Sequence, residues 1–472
     1  MEPHNVPEVL ARISQYTGRR AINRYRFLAD AYPSLALYGY EGALREIVRS
    51  TWDIQQYKLI HNAYNKVAAS HNLPLIPEDE SWIQNTQAEM NQTFSRLEME
   101  LKNYTTSLMK ESIRITYQDL AARHRLAGDQ NNALRALSKA REHCSNSAQV
   151  AEISFALLEL AMDCHAQKSA ENYIGKAEGA LEATTSSKEN KQDGGSKAKA
   201  STSYAGASTS GTSAADAKEK ERVRLTERLN IAKGLSALGQ GNFMKAASAF
   251  LRVSREAGQY PGTELLITQV DLAIYTTLCA MATFTRPELK KKVIDNAELR
   301  SLLECEPQLK RVLYAFQENK HREVLQFLDD WQPTYRTDMY LAHHINVIIY
   351  LIQERAILQY FSPFSSVALA KASEAFGWSE VVLKERLLHS IASKKLHAKI
   401  DLPNGLLIAN QNDSRVDLFQ KAIESADAME LESKAALLRL MLIQANVVVK
   451  DHQSANQPET LRGKQIGSGG LI

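Results

Sequence analysis

Residues 396–409, with the sequence LHAKIDLPNGLLIA, decide the fold of the C-terminal half of this chain. Residues 396–401 alternate between apolar and polar side chains, which is typical of a half-buried strand. The Pro-Asn-Gly sequence at 403–405 is a turn signal, and residues 406–409 form a second short apolar run. The stretch therefore predicts a β-hairpin in a chain whose other segments show helical spacing.

Three helices are predicted directly before this hairpin. The first covers residues 341–361, which are rich in apolar side chains, and the second covers residues 365–376 and ends at Gly377. Ser379 is placed to cap a third helix over residues 381–394. Three helices followed by a hairpin are the element order of a winged-helix module.

Helix pairs with a shared spacing precede this module. Each copy has a Gly or Asn that can end a helix in the left-handed conformation, followed by two small or apolar residues: Gly128, Ala133 and Ala136; Gly241, Ala246 and Ala249; and, more weakly, Asn319, Val324 and Phe327. A looser copy lies near His165. Such pairs bury their apolar faces only by stacking, which predicts a tetratricopeptide-like solenoid. The alternative is a set of unrelated antiparallel helix pairs.

The N-terminal part of the chain also shows helical patterns. Residues 8–70 indicate short helices, interrupted at Pro33 and at the Tyr-Gly-Tyr segment 38–40. Residues 81–126 contain neither Gly nor Pro, and apolar side chains recur at helical spacing over 90–108. The apolar face of this predicted helix either packs inside its own domain or forms a coiled-coil stripe.

Composition favours an all-helical protein and excludes several classes. The 472 residues include only 21 Gly and 12 Pro, and 57 Lys and Arg nearly balance 54 Asp and Glu, which argues against a protein that coats nucleic acid or anionic membrane. Four scattered cysteines indicate a reducing compartment. No signal-peptide pattern opens the sequence, and the apolar stretch 345–352 is far shorter than a membrane span, so we expect a soluble intracellular protein.

The sequence contains none of the motifs that would indicate catalysis. H-x-H, H-E-x-x-H and G-x-S-x-G are absent, no two cysteines are close enough for a zinc site, and the Gly-rich segment 467–470 lacks the Lys of a phosphate loop. We therefore predict no catalytic, metal-binding or cofactor-binding residues. The third helix of the winged-helix module carries basic and acidic residues together, which argues against nucleic-acid binding: Lys384, Arg386, Lys394 and Lys395 with Glu380 and Glu385.

Two interfaces with other subunits are predicted instead. An edge of the hairpin can pair with a strand of a neighbour. The predicted helix 415–450 is apolar on every side between residues 435 and 449, which indicates a helix surrounded by others, although it could also fold back on its own domain. The candidate interface residues are Leu396, Ala398, Ile400, Leu406, Leu407, Ile408, Leu437, Leu440, Met441 and Val448.

The sequence resembles the PCI-domain family, which includes subunits of the proteasome lid, the COP9 signalosome and eukaryotic translation initiation factor 3. Residues 355–364, RAILQYFSPF, look like the entry to the winged helix in the COP9 signalosome subunit 1 family. The segments 273–308 and 16–33 are similar to its repeat-to-PCI segment and its opening helices. The alternatives are the paralogous proteasome lid subunit, whose wing is similar to residues 396–401, and a nucleic-acid-binding PCI protein.

The resemblance implies an all-α fold in which a right-handed, tetratricopeptide-like solenoid leads into a PCI domain with a two- to three-stranded wing and a long C-terminal helix. It implies a non-catalytic scaffold subunit of the COP9 signalosome, which removes NEDD8 from cullins and so regulates cullin–RING ubiquitin ligases. The partners would be other signalosome subunits and ligase components, in the nucleus and cytoplasm, with the metal site of the isopeptidase in another subunit.

The expected domain boundaries combine the patterns with this resemblance. The segments are N-terminal helical repeats (1–181), a disordered Ser/Thr/Ala/Gly/Lys-rich insert (182–222), PCI helical repeats (223–340), the winged-helix part (341–412), the C-terminal bundle helix (413–450) and a flexible tail (451–472). The insert is expected to be disordered because it contains no Leu, Ile, Val, Met or Phe.

Overall fold

The computed structural model describes residues 6–164, 167–192, 211–254, 266–410, 414–445 and 447. The first half of the chain is helical, with the bounds α1 Val6–Ile13, α2 Gly18–Ala31, α3 Ala36–Ser50, α4 Ile54–Ser70, α5 Glu80–Thr106, α6 Lys110–Ala127, α7 Gln130–Glu142, α8 Ser147–Asp163, α9 Gln167–Gln192, α10 Gly211–Gly239 and α11 Phe243–Phe250. A 3-10 turn, Pro33–Leu35, joins α2 to α3.

The second half adds more helices and one small sheet. Its elements are α12 Gln269–Thr283, α13 Arg286–Leu289, a π-helical turn Lys290–Ile294, α14 Ala297–Leu303, α15 Pro307–Gln317, α16 His321–Arg336, α17 Ile345–Phe361, β1 Ser366–Ala368, α18 Leu369–Phe376, α19 Glu380–Ala392, β2 Ala398–Asp401, β3 Leu406–Ala409 and α20 Ser414–Gln444. The predicted all-α class with a small wing is confirmed.

The turns of the predicted repeat have the left-handed backbone that the sequence indicated. The φ angles are +86° at Gly128, +77° at Gly241 and +63° at Asn319, and each of these residues ends one helix of a pair. The side chain of Asp129 then caps α7 by accepting from the backbone N–H of Asn132 at 3.2 Å. The small residues that follow the turns are buried, so the paired helices approach closely: Ala133, Ala136 and Ala246.

The structure corrects the predicted break at residues 38–40, which lie inside α3. Gly39 does not end a helix there. A Cβ at this position would lie 2.8 Å from the carbonyl oxygen of Tyr25 and 2.9 Å from Cβ of Ala29, so the glycine lets α3 pack directly against the backbone of α2.

The structure also differs from the predicted insert at both of its ends. Helix α9 continues to Gln192 and α10 already begins at Gly211, so helix covers both flanks of the segment 182–222, while residues 193–210 lie outside the described residues. The flanks contain Ala, Glu and Lys, which have high helix propensity and can continue a helix that is packed further along the chain.

The winged-helix part contains a three-stranded antiparallel sheet with the order β1-β3-β2. The predicted second helix, 365–376, begins only at Leu369, because residues 366–368 form β1 and pair with β3. Val367 lies opposite Leu407, and Ile400 lies opposite the same residue on the other side. Since Leu407 is only 3% exposed, these three side chains attach the sheet to the main core.

Buried charges tie the first two helices to the second half of the chain. The Arg24 guanidinium on α2 donates to Asp338 at 2.8 Å and lies 3.6 Å from Asp271 on α12. The Tyr16 hydroxyl donates to the Asp271 carboxylate and accepts from the Arg24 guanidinium at 3.0 Å. Residues more than 240 positions apart in sequence therefore share one buried polar cluster.

Candidate interaction site in the wing sheet and the C-terminal helix

Strand β3 lies in the centre of the wing sheet, and β1 and β2 are its outer strands. In the described part of the chain, no further strand pairs with the outer edge of either one. A strand edge without a pairing partner can accept a strand of another protein. The sheet therefore has two outer edges, on β1 and β2, and the apolar run in β3 lies between them.

The six candidate residues in the wing separate into two sets. Ala398 and Leu407 are 9% and 3% exposed and belong to the core of this chain, and Leu396 and Ile400 pack partly buried against the same core. Leu406 is half-buried, and the Ile408 side chain is 42% exposed on the opposite face. Because side chains alternate along a strand, Leu407 cannot face the core and a partner at once.

Helix α20 exposes all of its described apolar side chains. Leu437, Leu440 and Met441 are 54%, 66% and 59% exposed, and every residue from 418 to 445 is exposed. Val448, the fourth candidate in this segment, lies outside the described residues. No described residue covers the helix, so the described part of the chain does not show the folded-back arrangement that the sequence left open as an alternative.

Apolar side chains in the first half of α20 were not among the predicted interface residues. Val416, Phe419 and Ile423 follow one another at helical spacing and are 58%, 69% and 48% exposed. Their spacing of three and four residues was the signal that could have found them. The exposed apolar surface consequently extends along the whole helix and is not confined to residues 435–449.

Helix α19, the third helix of the winged-helix module, exposes apolar side chains as well. Val381 and Leu388 are 72% and 57% exposed and lie on one side, seven residues apart. Lys384 lies 3.3 Å from Glu380 in an ion pair. A helix that reads DNA needs exposed basic or amide side chains in these places, so this face suits a protein partner better than a phosphate backbone.

Of the four cysteines, Cys279 is buried in the core and Cys305 is exposed. Burial raises the pKa of the Cys279 thiol to about 12, which disfavours the nucleophilic thiolate. No group of three His, Cys, Asp or Glu residues is placed to hold a metal ion within the described ranges. Among the same residues, none of the helices has both the length and the apolar character that crossing a membrane requires.

Comparison with known proteins finds two family models in this chain. The model described as 26S proteasome subunit RPN7 matches residues 79–292, and the model described as PCI domain matches residues 328–411. The COP9 signalosome complex subunit 1 of Emericella nidulans is 26% identical over 454 residues, covering 94% of this chain and 83% of its own. Subunit 1b of the same complex in Drosophila melanogaster is 27% identical, covering 93% and 85%.

Similarity to a proteasome protein is more limited in extent. The 26S proteasome non-ATPase regulatory subunit 6 homolog of Arabidopsis thaliana is 28% identical over 200 residues, which cover 42% of this chain and 51% of its own. The PCI match includes all three strands of the wing sheet, whereas the similarity to subunit 1 runs from the opening helices to the C-terminal region. The chain therefore contains a PCI domain and resembles COP9 signalosome subunit 1 along almost its whole length.

Proposed function

We propose that this chain is a non-catalytic scaffold subunit of the COP9 signalosome, the complex that removes NEDD8 from cullins and so regulates cullin–RING ubiquitin ligases. The observation that carries the scaffold role is α20, a helix of 31 residues whose apolar side chains have no cover from the described part of the chain. An exposed apolar surface of this extent on a helix marks a place where other helices pack. The chain-long similarity to subunit 1 proteins indicates which complex supplies them.

Two surfaces are proposed to make the subunit contacts. The free edges of β1 and β2, with Ile408 exposed beside them, extend a sheet into a neighbouring PCI subunit. Leu437, Leu440 and Met441, with Val448, enter a helical bundle formed with other subunits. The isopeptidase metal site belongs to another subunit, the N-terminal helices project towards ligase components, and the complex acts in the nucleus and cytoplasm.

The alternatives have weaker support. A proteasome lid subunit would use the same two surfaces, but the similarity to the lid homolog covers less than half of the chain. A nucleic-acid-binding PCI protein would need a basic reading helix, and α19 exposes Val381 and Leu388 with Lys384 paired to Glu380.

Coexpression distinguishes these complexes. The full chain, tagged at one end, is coexpressed separately with the other COP9 signalosome subunits and with the proteasome lid subunits of the same organism. We expect the chain to copurify stoichiometrically with the signalosome set alone, and mass spectrometry of the purified complex measures this. Stable assembly with the lid set, or with neither set, would contradict the proposal.

A further inference from the structure

A groove of about 670 Å³ lies where the helical repeat meets the winged helix. The end of α12 and the turn after it form one wall, α17 forms another, and Lys395 closes the side towards α19. Apolar side chains contribute much of the surface: Phe284, Leu351, Leu358 and Pro363. The groove is separate from the edges of the wing sheet and from α20.

The Glu354 carboxylate on the groove wall has one oxygen without a partner. The residue is 6% exposed, and its Oε2 accepts from Lys395 Nζ at 2.6 Å. Its Oε1 is fully buried and accepts no hydrogen bond from any described residue. A buried acceptor without a donor destabilises the folded chain. A ligand that donates an N–H to this oxygen would supply the missing hydrogen bond, and this would favour binding.

The basic side chains around Glu354 differ in whether they can form an ion pair with a ligand. Arg355 donates to the last carbonyl groups of α12, those of Ala282, Thr283 and Phe284, and thereby completes that helix end. Arg286 is exposed and donates a hydrogen bond to the carbonyl oxygen of Gln317 at 2.8 Å. With the Lys395 side chain 48% exposed, two cations at the rim remain open to a ligand.

We infer that this groove binds a short extended segment of another protein that carries acidic side chains beside an apolar one. A small rotation of the Glu354 side chain would bring its Oε1 to a backbone N–H of the segment. The apolar side chain would pack against Leu351 and Leu358, and a carboxylate would pair with Arg286 or Lys395. A basic segment is disfavoured because Lys395 already balances the charge of Glu354. The inference rests on the proposed function only in assigning the segment to a neighbouring subunit.

A peptide titration on the full chain alone tests the chemistry of the groove. The probes are two nine-residue Gly/Ser peptides, one with an Asp-Leu-Asp centre and one with a Lys-Leu-Lys centre, observed through leucine methyl resonances. We expect saturable shifts at Leu351 and Leu358 and an affinity at least about tenfold higher for the acidic probe, a difference typical of a charge-paired contact. Equal affinities, or shifts that do not include these leucines, would overturn the inference.

Two arginines provide a matched pair of variants. Arg286→Glu should abolish the preference for the acidic probe. Arg300→Glu should retain it, because Arg300 is also exposed and also donates to a backbone carbonyl, that of Ile294 at 3.2 Å, but lies outside the groove. Equal loss in both variants would mean that general surface charge, and not the groove, attracts the probe.

Amine labelling in the assembled complex tests the source of the segment. We expect acetic anhydride to modify Lys395 in the free chain and at least about tenfold more slowly after assembly, as for an amine in a covered ion pair. If Lys395 is already protected from acetylation in the free chain, or is still modified in the intact complex, the segment does not come from a neighbouring subunit. Failure of the complex to form would contradict the proposed function and leave the peptide titration to decide on the groove.

Discussion

Arg24 is 6% exposed, and its guanidinium forms ion pairs with the carboxylates of Asp271 and Asp338. It also lies 4.0 Å from the centre of the Tyr16 ring. Burial raises the pKa of Asp271, because water no longer solvates its charged form. The positive charge of Arg24 compensates for this desolvation. Removing it while the surrounding side chains stay in place would leave negative charge buried without a partner.

Replacement of Arg24 by Met is therefore expected to destabilise the fold by about 3–5 kcal/mol, the usual cost of breaking a buried ion pair from one side. Adding Asp271→Asn should restore part of this loss, because the neutral side chain can still accept from Tyr16. Urea denaturation followed by circular dichroism measures both variants. The control is Arg26→Met on the same helix, whose exposed pair with Asp30 at 3.5 Å should be worth less than about 1 kcal/mol. Equal effects at Arg24 and Arg26 would contradict the argument.

His321 is a second residue whose burial has a measurable consequence. The ring is 1% exposed, stacks on Phe376 with centroids 5.2 Å apart, and has no hydrogen-bond partner for either nitrogen among the described residues. Burial lowers the pKa of His321 to about 4. The unfolded chain therefore binds this proton before the folded chain does as the pH falls from about 6.5.

Stability should decrease between about pH 6.5 and pH 4 by up to roughly 3 kcal/mol on account of this one group. His321→Phe should reduce the decrease and be at least as stable as the parent at pH 7.5, because it removes an unpaired buried N–H and keeps an aromatic ring. Thermal melts between pH 6.5 and pH 4 measure how steeply stability depends on pH. The control is His71→Phe at an exposed position, which should leave this dependence unchanged. A slope that His321→Phe does not alter would show that other groups cause the pH dependence.

At the scale of secondary-structure elements, the repeat turns could be predicted because few residues adopt a positive φ. Gly128, Gly241 and Asn319 belong to the residue types that adopt this conformation most readily. The end of α5 could not be predicted, since the chain there reverses through Leu108 with a φ of +53° and no Gly or Pro nearby. Helix α5 packs against α6 after this reversal. Sequence periodicity within α5 does not show such contacts and therefore does not show where the helix ends.

In the candidate site, too, some features could be predicted from the sequence and others could not. The apolar character of α20 on every side is visible in the sequence, since a self-sufficient surface helix shows a single stripe. The burial of Leu407 in the core of this chain could not be predicted, because a short apolar run does not show which face of a strand meets the core, and its place at an interface stays a prediction. The unpaired oxygen of Glu354 depends on contacts between separate elements and has no local signal in the sequence.

Substitution of Leu440 by Glu tests α20 directly. The side chain is 66% exposed, so the isolated variant should melt within about 1 °C of the parent, as most exposed substitutions do. Assembly should fail, because a charge buried at a packed helical interface costs several kcal/mol. Pull-down of the other subunits measures this, with Leu59→Glu on α4, 68% exposed, as the control that should still assemble. Unfolding of the isolated variant, or normal assembly, would contradict the bundle.

At the scale of the whole molecule, the N-terminal helices and the PCI helices behave as one packed unit. In α1, Val9 and Ile13 are 3% and 6% exposed, and they line the same small cavity as Tyr335 of α16. Arg12 on α1 lies 3.3 Å from Glu306, just before α15. Nothing in the local sequence indicates that the first helix joins a segment some 300 residues away.

Deletion of residues 1–17 should therefore destabilise regions far from the N-terminus. It removes three buried side chains, those of Val9, Ile13 and Tyr16, each worth about 1.5–3 kcal/mol, and we expect the melting temperature to fall by about 10 °C. Hydrogen exchange should rise in α12 and α16, because both lose their cover. Arg26→Met, whose side chain is exposed on α2, is the control and should change neither quantity noticeably. If exchange rose only in α2 and α3 while α12 and α16 stayed protected, the two halves would be separate units joined by weak contacts.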